Sequence, residues 1–299
     1  MGHIPRRKPT SGVQVVTDSA SDIPEDLVAK HHIEIVPLTI RFGDKEFVDR
    51  EELPPDAFWR QCAGTSSLPE TAAPSPGAFR DAFGRAAASG MDGVVCVNIS
   101  SGLSGTFQSA SAALAALPDG SQVKLIDSTF GSMAHGLVVL AAAEAASAGA
   151  SIDEVESAAR AAVADIKGFF TLDTLENLRR GGRIGNAQAL LGAILSIKPI
   201  LENRGGVAEL VSRQRTRKKA LSSLVDVMGL QGATNTLAIS HGDADDIDDF
   251  LERVSSAWPG VELIVSLMGA VLGTHLGKGA ITISGRFPGA VPPAGPKRP

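Results

Sequence analysis

Three hydroxyl side chains, Ser101, Ser104 and Thr106, crowd with Gly102 and Gly105 into the stretch NISSGLSGTFQSA, residues 98–110. The run DGVVCVNIS (92–100) leads into it, and a helical pattern, SGTFQSASAALAAL, carries on from it. At a strand-to-helix corner the first backbone N–H groups of the helix have no partner within the helix. They point at one spot, and the helix dipole favours an anion there. Glycines let a ligand approach the backbone closely, and hydroxyls add donors. A tight turn with an N-capping serine would use the same residue types. The corner is not a phosphate-binding P-loop, because no Lys follows at the required spacing. It is not a nucleophile elbow either, since Gly102, Ser104 and Gly105 miss the G-x-S-x-G pattern.

Similar chemistry recurs at other strand ends. VVTDSASD places Thr17, Asp18 and Ser19 at the end of one strand, and LIDST places Asp127 and Ser128 at the end of another. In an open parallel sheet such ends lie along one edge, where ligands bind. Each could equally be a cap or a turn. Thr71 sits in the Pro-rich stretch ETAAPSPG, placed to reach into the same cleft. His275 is a lone histidine among glycines in GTHLGKG, and a turn residue would look no different. RRGGRIG and RQRTRKK are basic runs in an acidic chain, either a solvated face or a docking surface for an acidic partner.

These residues need a scaffold, and the hydrophobic pattern supplies one. Apolar runs at 13–18, 33–42, 92–100 and 123–128 read as strands, the later two as strands buried on both faces. Helical patterns alternate with them. One is opened by Ser21 or Asp22 with Pro24 in its first turn, one by Ser75–Pro76, and one by the capping box Ser151–Glu154. After about Ile166 the texture changes. A strand at 168–173 leads to a helical stretch at 174–195, broken at Gly181–Gly182, then a hairpin turning at Gly205–Gly206. Further helices and strands follow, with glycine-rich GAVLGTHLGKG before a last strand. The expected class is α/β with two domains that share a tight interface. A parallel-sheet, Rossmann-like N-terminal α/β domain spans 12–165 and a C-terminal α+β domain spans 166–285, with flexible tails at 1–11 and 286–299.

Composition narrows the functional classes. The chain has 299 residues, 43% of them hydrophobic, which is enough for sizeable cores. A formal charge of -5, no tyrosine and 4% aromatics argue against nucleic acid, which wants a basic field or a stacking platform. Two cysteines, Cys62 and Cys96, favour a reducing, cytoplasmic setting over a disulfide framework. The N-terminal MGHIPRRKPTSG lacks the apolar core of a signal peptide, and GLVVLAAAEAASA is too short and too weakly apolar to span a bilayer. No cluster has the spacing of a metal site.

TDSASDIP, TAAPSPGAF, SSGLSGTFQSA, IDS, LRRGGRIG, IKPIL, RTRKKAL and GTHLGKG occur in that order from about Val13 to Ser284. In this they resemble the DegV family, the bacterial fatty-acid-binding proteins also called FakB. The resemblance implies two α/β domains with a long-chain fatty acid buried between them and no further cofactor. It implies that Ser104, Gly105 and Thr71 hold the carboxylate, with Ser101 as a supporting neighbour and His275 near the head group. Where the family usually has Ser after that Thr, this chain has Ala72, which offers only its backbone. The family's partner is a separate fatty acid kinase that phosphorylates the bound carboxylate with ATP, giving an acyl-phosphate for phospholipid synthesis. The binding protein is a carrier rather than a catalyst, for which transient membrane contact is allowed. Arg215 and Arg217, with Arg180 and Arg183, would suit docking of that kinase. Two other readings remain: a serine-dependent hydrolase or transferase, using Ser104 or Ser128 with His275 and Asp18 or Asp127, and a lipid-responsive regulator with no kinase.

Overall fold

The computed structural model describes residues 11–64, 68–185 and 197–289. The helical continuation expected beyond Gly185, and most of both expected tails, lie outside the described residues. β1 (Val13–Asp18), β2 (Glu34–Val36), β6 (Gly93–Asn98) and β7 (Val123–Asp127) form a parallel sheet in the order β2-β1-β6-β7. Side chains alternate along these strands, so each face has its own core. Val16, Val94 and Cys96 pack against Phe79, Phe83 and Ala110 of α3 (Pro76–Ala88) and α4 (Thr106–Ala115). Val13, Val15, Val95 and Val97 pack against α5 (Ser132–Ser147) and α6 (Ile152–Asp165). α3 starts where Ser75 Oγ accepts from Ala78 N at 3.2 Å, and α6 starts with the expected capping box of Ser151 and Glu154.

The second sheet has the order β10-β9-β8-β13-β11-β12. Its strands are β8 (Ile166–Thr171), β9 (Lys198–Arg204), β10 (Val207–Gln214), β11 (Thr236–His241), β12 (Glu262–Leu267) and β13 (Ile281–Arg286). Only the β11–β12 pair is parallel. α8 (Arg217–Gly229) and α9 (Ile247–Ala257) cover one face over Phe169, Ile200, Ile239 and Ile283. α5 lies against the other face as well as against the first sheet, so every residue from Ser132 to Ala143 is buried. That double duty explains its composition. Gly136 sits where a Cβ would come 2.6 Å from the Ser21 carbonyl oxygen, so only glycine allows this approach.

A third, three-stranded sheet was not expected. Pro37 breaks the single strand anticipated over 33–42, because proline cannot donate to a ladder. The chain leaves the first sheet there and continues as β3 (Thr39–Phe42) between β4 (Lys45–Val48) and β5 (Glu70–Ala72). β5 is part of the stretch read as a Pro-rich loop, and its pairing of Thr71 with Ile40 fixes Thr71 in place. α2 (Pro55–Ala63) follows β4 and ends at Gly64. α1 (Glu25–Lys30) begins one turn later than expected, with Pro24 at its N-cap and no side-chain cap. Asp22 is used elsewhere, as described below. The glycine-rich stretch before β13 forms a short helix, α10 (Ala270–Leu276), and α7 (Glu176–Arg180) precedes the glycine break. Arg286, assigned from sequence to the C-terminal tail, instead pairs with Ile166 at the end of β13, and Phe287 after it is buried.

Candidate functional site

Leu38, Ile99, Leu103, Phe170, Leu178, Val271, Leu272 and Leu276 line a cavity between the first sheet's carboxyl edge, the second sheet and α10. Thr71, Ser104, Gly105, Arg183 and His275 also line it. Thr71, Arg183 and His275 border in addition an outer depression with Glu70, Asn177, Arg180 and Gly181. The polar end is therefore the mouth, and the apolar space lies behind it.

Four separate elements build this mouth. β5 delivers Thr71, whose Oγ1 shares a hydrogen bond of 3.0 Å with Nε2 of His275 on α10. The corner after β6 delivers Ser104, whose Oγ lies 2.9 Å from Thr106 Oγ1 and accepts from Thr106 N at 3.3 Å. Gly105 is the N-cap of α4 and has no side chain to cap it, so apart from the Ser104 contact to Thr106 N the helix start remains available to an anion. The loop after α7 delivers Arg183. Its Nε donates to the Leu103 carbonyl at 3.0 Å and its Nη1 to the Gly181 carbonyl.

Electrostatics at the mouth follow from burial. Desolvation, with a smaller contribution from Arg183, pushes the His275 ring down to about 4, so it is neutral at pH 7. Its Nδ1 is buried without a partner. A folded-state value below the unfolded value of 6.5 means that the unfolded chain binds the proton better. Stability contributed by this ring is complete above about pH 6.5 and is lost as pH falls towards 4. In delipidated protein the His275 share of stability should be about 2 kcal/mol lower at pH 5 than at pH 7. Urea midpoints of wild type and His275→Gln across that range would check it. Parallel pH profiles for the two proteins would refute the assignment.

Not every residue expected at the site belongs to it. Ser101 turns to the sheet edge, where its Oγ and N both donate to Asp127, and it does not line the cavity. Ala72 is exposed at the end of β5, while its neighbour Ala73 lines the cavity. Asp18 accepts from Ala20 N, Ile99 N and Asn98 Nδ2, so this carboxylate braces the corner from below. Ser128 Oγ donates to the Phe130 carbonyl. The strand ends thus shape the corner, and of its polar candidates only Ser104 reaches the cavity, beside Gly105 and the apolar Ile99 and Leu103. Among the described residues no Ser–His–Asp array is assembled around His275. His275 Nε2 bonds Thr71, and no carboxylate orients its other nitrogen.

The arginines divide similarly. Arg183, expected on a docking surface, is part of the mouth. Arg180 is exposed beside the outer depression and bonds Glu176 at 2.7 Å. Arg215 is exposed. Arg217 is committed to Asp246 by two hydrogen bonds of 2.9 Å and is not a free docking cation. Among the described residues no cluster could hold a metal ion, and no helix is long and apolar enough to cross a membrane. A wider groove lined by Glu25, His32, Asp49, Arg50 and Arg85 shares no residue with this mouth.

Asp22 is the supporting residue that sequence reading missed. Fully buried, its carboxylate accepts from Ser132 Oγ of α5 at 2.6 Å, from Ser240 Oγ of β11 at 3.3 Å and from Gly269 N at 2.8 Å. Gly269 is the N-cap of α10. One side chain thus ties the first sheet's edge to the helix that carries His275.

The family pattern that matches the chain, over residues 12–286, is that of DegV. The chain belongs to the DegV family. A DegV domain-containing protein of Mycobacterium bovis is 40% identical over 288 residues, covering 94% of this chain and 99% of its own. Among solved structures, a DegV family protein from Thermus thermophilus, described for its fatty acid binding, superposes with a TM-score of 0.83 at 32% identity, over 92% of this chain and 99% of that one. A stearic acid-binding protein from Eubacterium ventriosum gives a TM-score of 0.83 at 26% identity, over 93% of this chain and 100% of that one. The DegV architecture of a parallel-sheet domain joined to a mixed-sheet domain is the one found here.

Proposed function

We propose that this DegV protein binds a long-chain fatty acid in the cavity between its two sheets and presents the carboxylate at the mouth to a separate ATP-dependent kinase. The observation that carries the reading is the cavity itself, a largely apolar space whose mouth at Thr71, Arg183 and His275 opens into an outer depression. DegV neighbours described as fatty-acid-binding support it. The tail supplies affinity: burying each methylene is worth roughly 0.8 kcal/mol, so a tail of about fourteen methylenes offers on the order of 11 kcal/mol before the costs of binding. The head group supplies orientation. Thr71, Ser104 and the α4 N-terminus at Gly105 are donors for an ionised carboxylate, His275 faces it across Thr71, and Arg183 adds positive charge.

An ionised carboxylate oxygen is what a phosphoryl acceptor needs, and the outer depression leaves it reachable. Exposed Arg180 and Arg215 are the docking cations of this reading. The protein carries its ligand in the cytoplasm without acting on it, and the acyl-phosphate made on it feeds phospholipid synthesis. Solvent extracts of purified protein should contain a stoichiometric long-chain fatty acid by mass spectrometry. Lipid-free protein that also fails to take up palmitate would overturn the reading. A regulator with no kinase would bind lipid equally well, but would yield no acyl-phosphate with ATP and kinase fractions.

A further inference from the structure

The second sheet presents a row of side chains to the cavity that a purely hydrocarbon ligand would leave unsatisfied. Register sets the row. Ala208 on β10 pairs with Asn203 on β9, and Ser284 on β13 pairs with Gly168 on β8. The β8–β9 register, with Phe169 opposite Glu202, brings Gly168 opposite Asn203. All four residues line the cavity. Asn203 and Ser284 therefore stand on either side of a residue with no side chain. A Cβ on Gly168 would lie 3.2 Å from Ser284 Oγ and 3.2 Å from Ala134 Cβ, so the serine hydroxyl is turned towards the space that glycine leaves.

The hydrogen-bonding state of the row separates it from the other polar lining. Thr282 Oγ1 is satisfied by the Ser240 backbone at 3.2 and 3.3 Å, and Ser132 Oγ by Asp22. Asn203 Oδ1 is buried without a partner. Ser284 is paired through its backbone in β13, but no side-chain hydrogen bond of its hydroxyl is found among the described residues, and the hydroxyl faces the cavity. Buried polar groups left unpaired oppose binding of a hydrocarbon chain against them, and favour a ligand that pairs them.

We propose that the cavity prefers an acyl chain carrying a hydroxyl group along its length, set against Asn203 and Ser284. The inference rests on the fatty-acid reading above and names its substrate class more closely. Two strand spacings, roughly 9–10 Å, separate the Asn203 and Ser284 backbones, and their side chains close part of that gap from both sides. A hydroxyl both donates and accepts, so it can serve the Asn203 carbonyl oxygen and the serine hydroxyl. A keto or ether oxygen only accepts and leaves the Asn203 oxygen orphaned.

The test uses delipidated full-length protein, palmitic acid and a positional series of monohydroxypalmitic acids, with affinities from competition against a fluorescent fatty acid. At least one hydroxy isomer should bind about tenfold or more tighter than palmitate. In Asn203→Leu/Ser284→Ala the ratio should fall to near one, and Ser284→Ala alone should lower it part-way should the double variant fold poorly. Equal or weaker binding of every hydroxy isomer to wild type would overturn the proposal, as would a ratio that survives both substitutions. If wild type binds neither palmitate nor any isomer, the fatty-acid reading fails and this inference falls with it.

Discussion

Asp22→Ala should lower the stability of the delipidated protein by about 3–4 kcal/mol, seen as a fall in the urea midpoint at unchanged slope. Three donors meet on this carboxylate: Gly269 N at the start of α10, Ser132 Oγ at the start of α5, and Ser240 Oγ on β11. Alanine leaves all three buried and unpaired, at about 1–3 kcal/mol each before water or rearrangement relieves some of them. The removed group had its own cost, which offsets part of the loss. Burial raises the Asp22 carboxyl above its ordinary range, against hydrogen bonds that pull it back down. A raised folded-state value also sets the pH trend. The folded protein holds the proton better than the unfolded chain, so Asp22 contributes most at low pH and less as pH rises. The deficit of the alanine variant should therefore shrink as pH rises from 4 towards 8. Asp22→Asn keeps an acceptor for Gly269 N and should lose about half as much. A midpoint for Asp22→Ala equal to that of wild type would show that the network does not hold the two sheets together.

Asp22 also illustrates where sequence reasoning stops. In SASDIPED it has the position and type of an N-cap, and a local rule assigns it to the next helix. The structure uses it on residues more than a hundred positions away. Features fixed by near neighbours were legible. The Ser151–Glu154 capping box, the buried strands β1 and β6, and the corner at Ser104 follow from spacing alone; β7, expected to be buried on both faces, is the edge strand of its sheet with only Ile126 buried. β3 was read only as a continuation of β2, and β4 and β5 were not legible as strands, because short segments near prolines carry little period-2 signal and exist only through each other. Arg183 shows a different limit. An arginine in a basic run usually lies on a solvated face, and only the fold reveals that its loop turns back over Leu103 into the mouth. The Asn203–Gly168–Ser284 row depends on the register of three strands that are distant in sequence, so no local pattern could announce it.

On the proposed reading, in which a kinase acts on the bound fatty acid, Gly181→Val should reduce acyl-phosphate formation by about 100-fold, yet leave a fatty acid in the purified protein. Gly181 ends α7 with an ordinary helical φ of -74°, so valine meets no backbone strain there. Its Cβ would collide with the His275 ring at Nδ1, and lie 3.2 Å from the Asn177 carbonyl oxygen. The ring must move, and with it goes the 3.0 Å bond to Thr71 Oγ1 that fixes both donors at the mouth. Displacement of a positioning group by about 1 Å can cost on the order of 100-fold in turnover. The apolar wall of Leu272, Leu276, Phe170 and Leu178 is not built on Gly181, and most of the affinity resides with the tail. The two readouts therefore separate orientation from binding. Gly181→Ala should show the same split in weaker form, since the smaller side chain still reaches the ring. Full turnover in Gly181→Val would mean that the placement of His275 does not matter to transfer. Loss of the lipid along with turnover would mean that the mouth, rather than the tunnel, supplies most of the affinity.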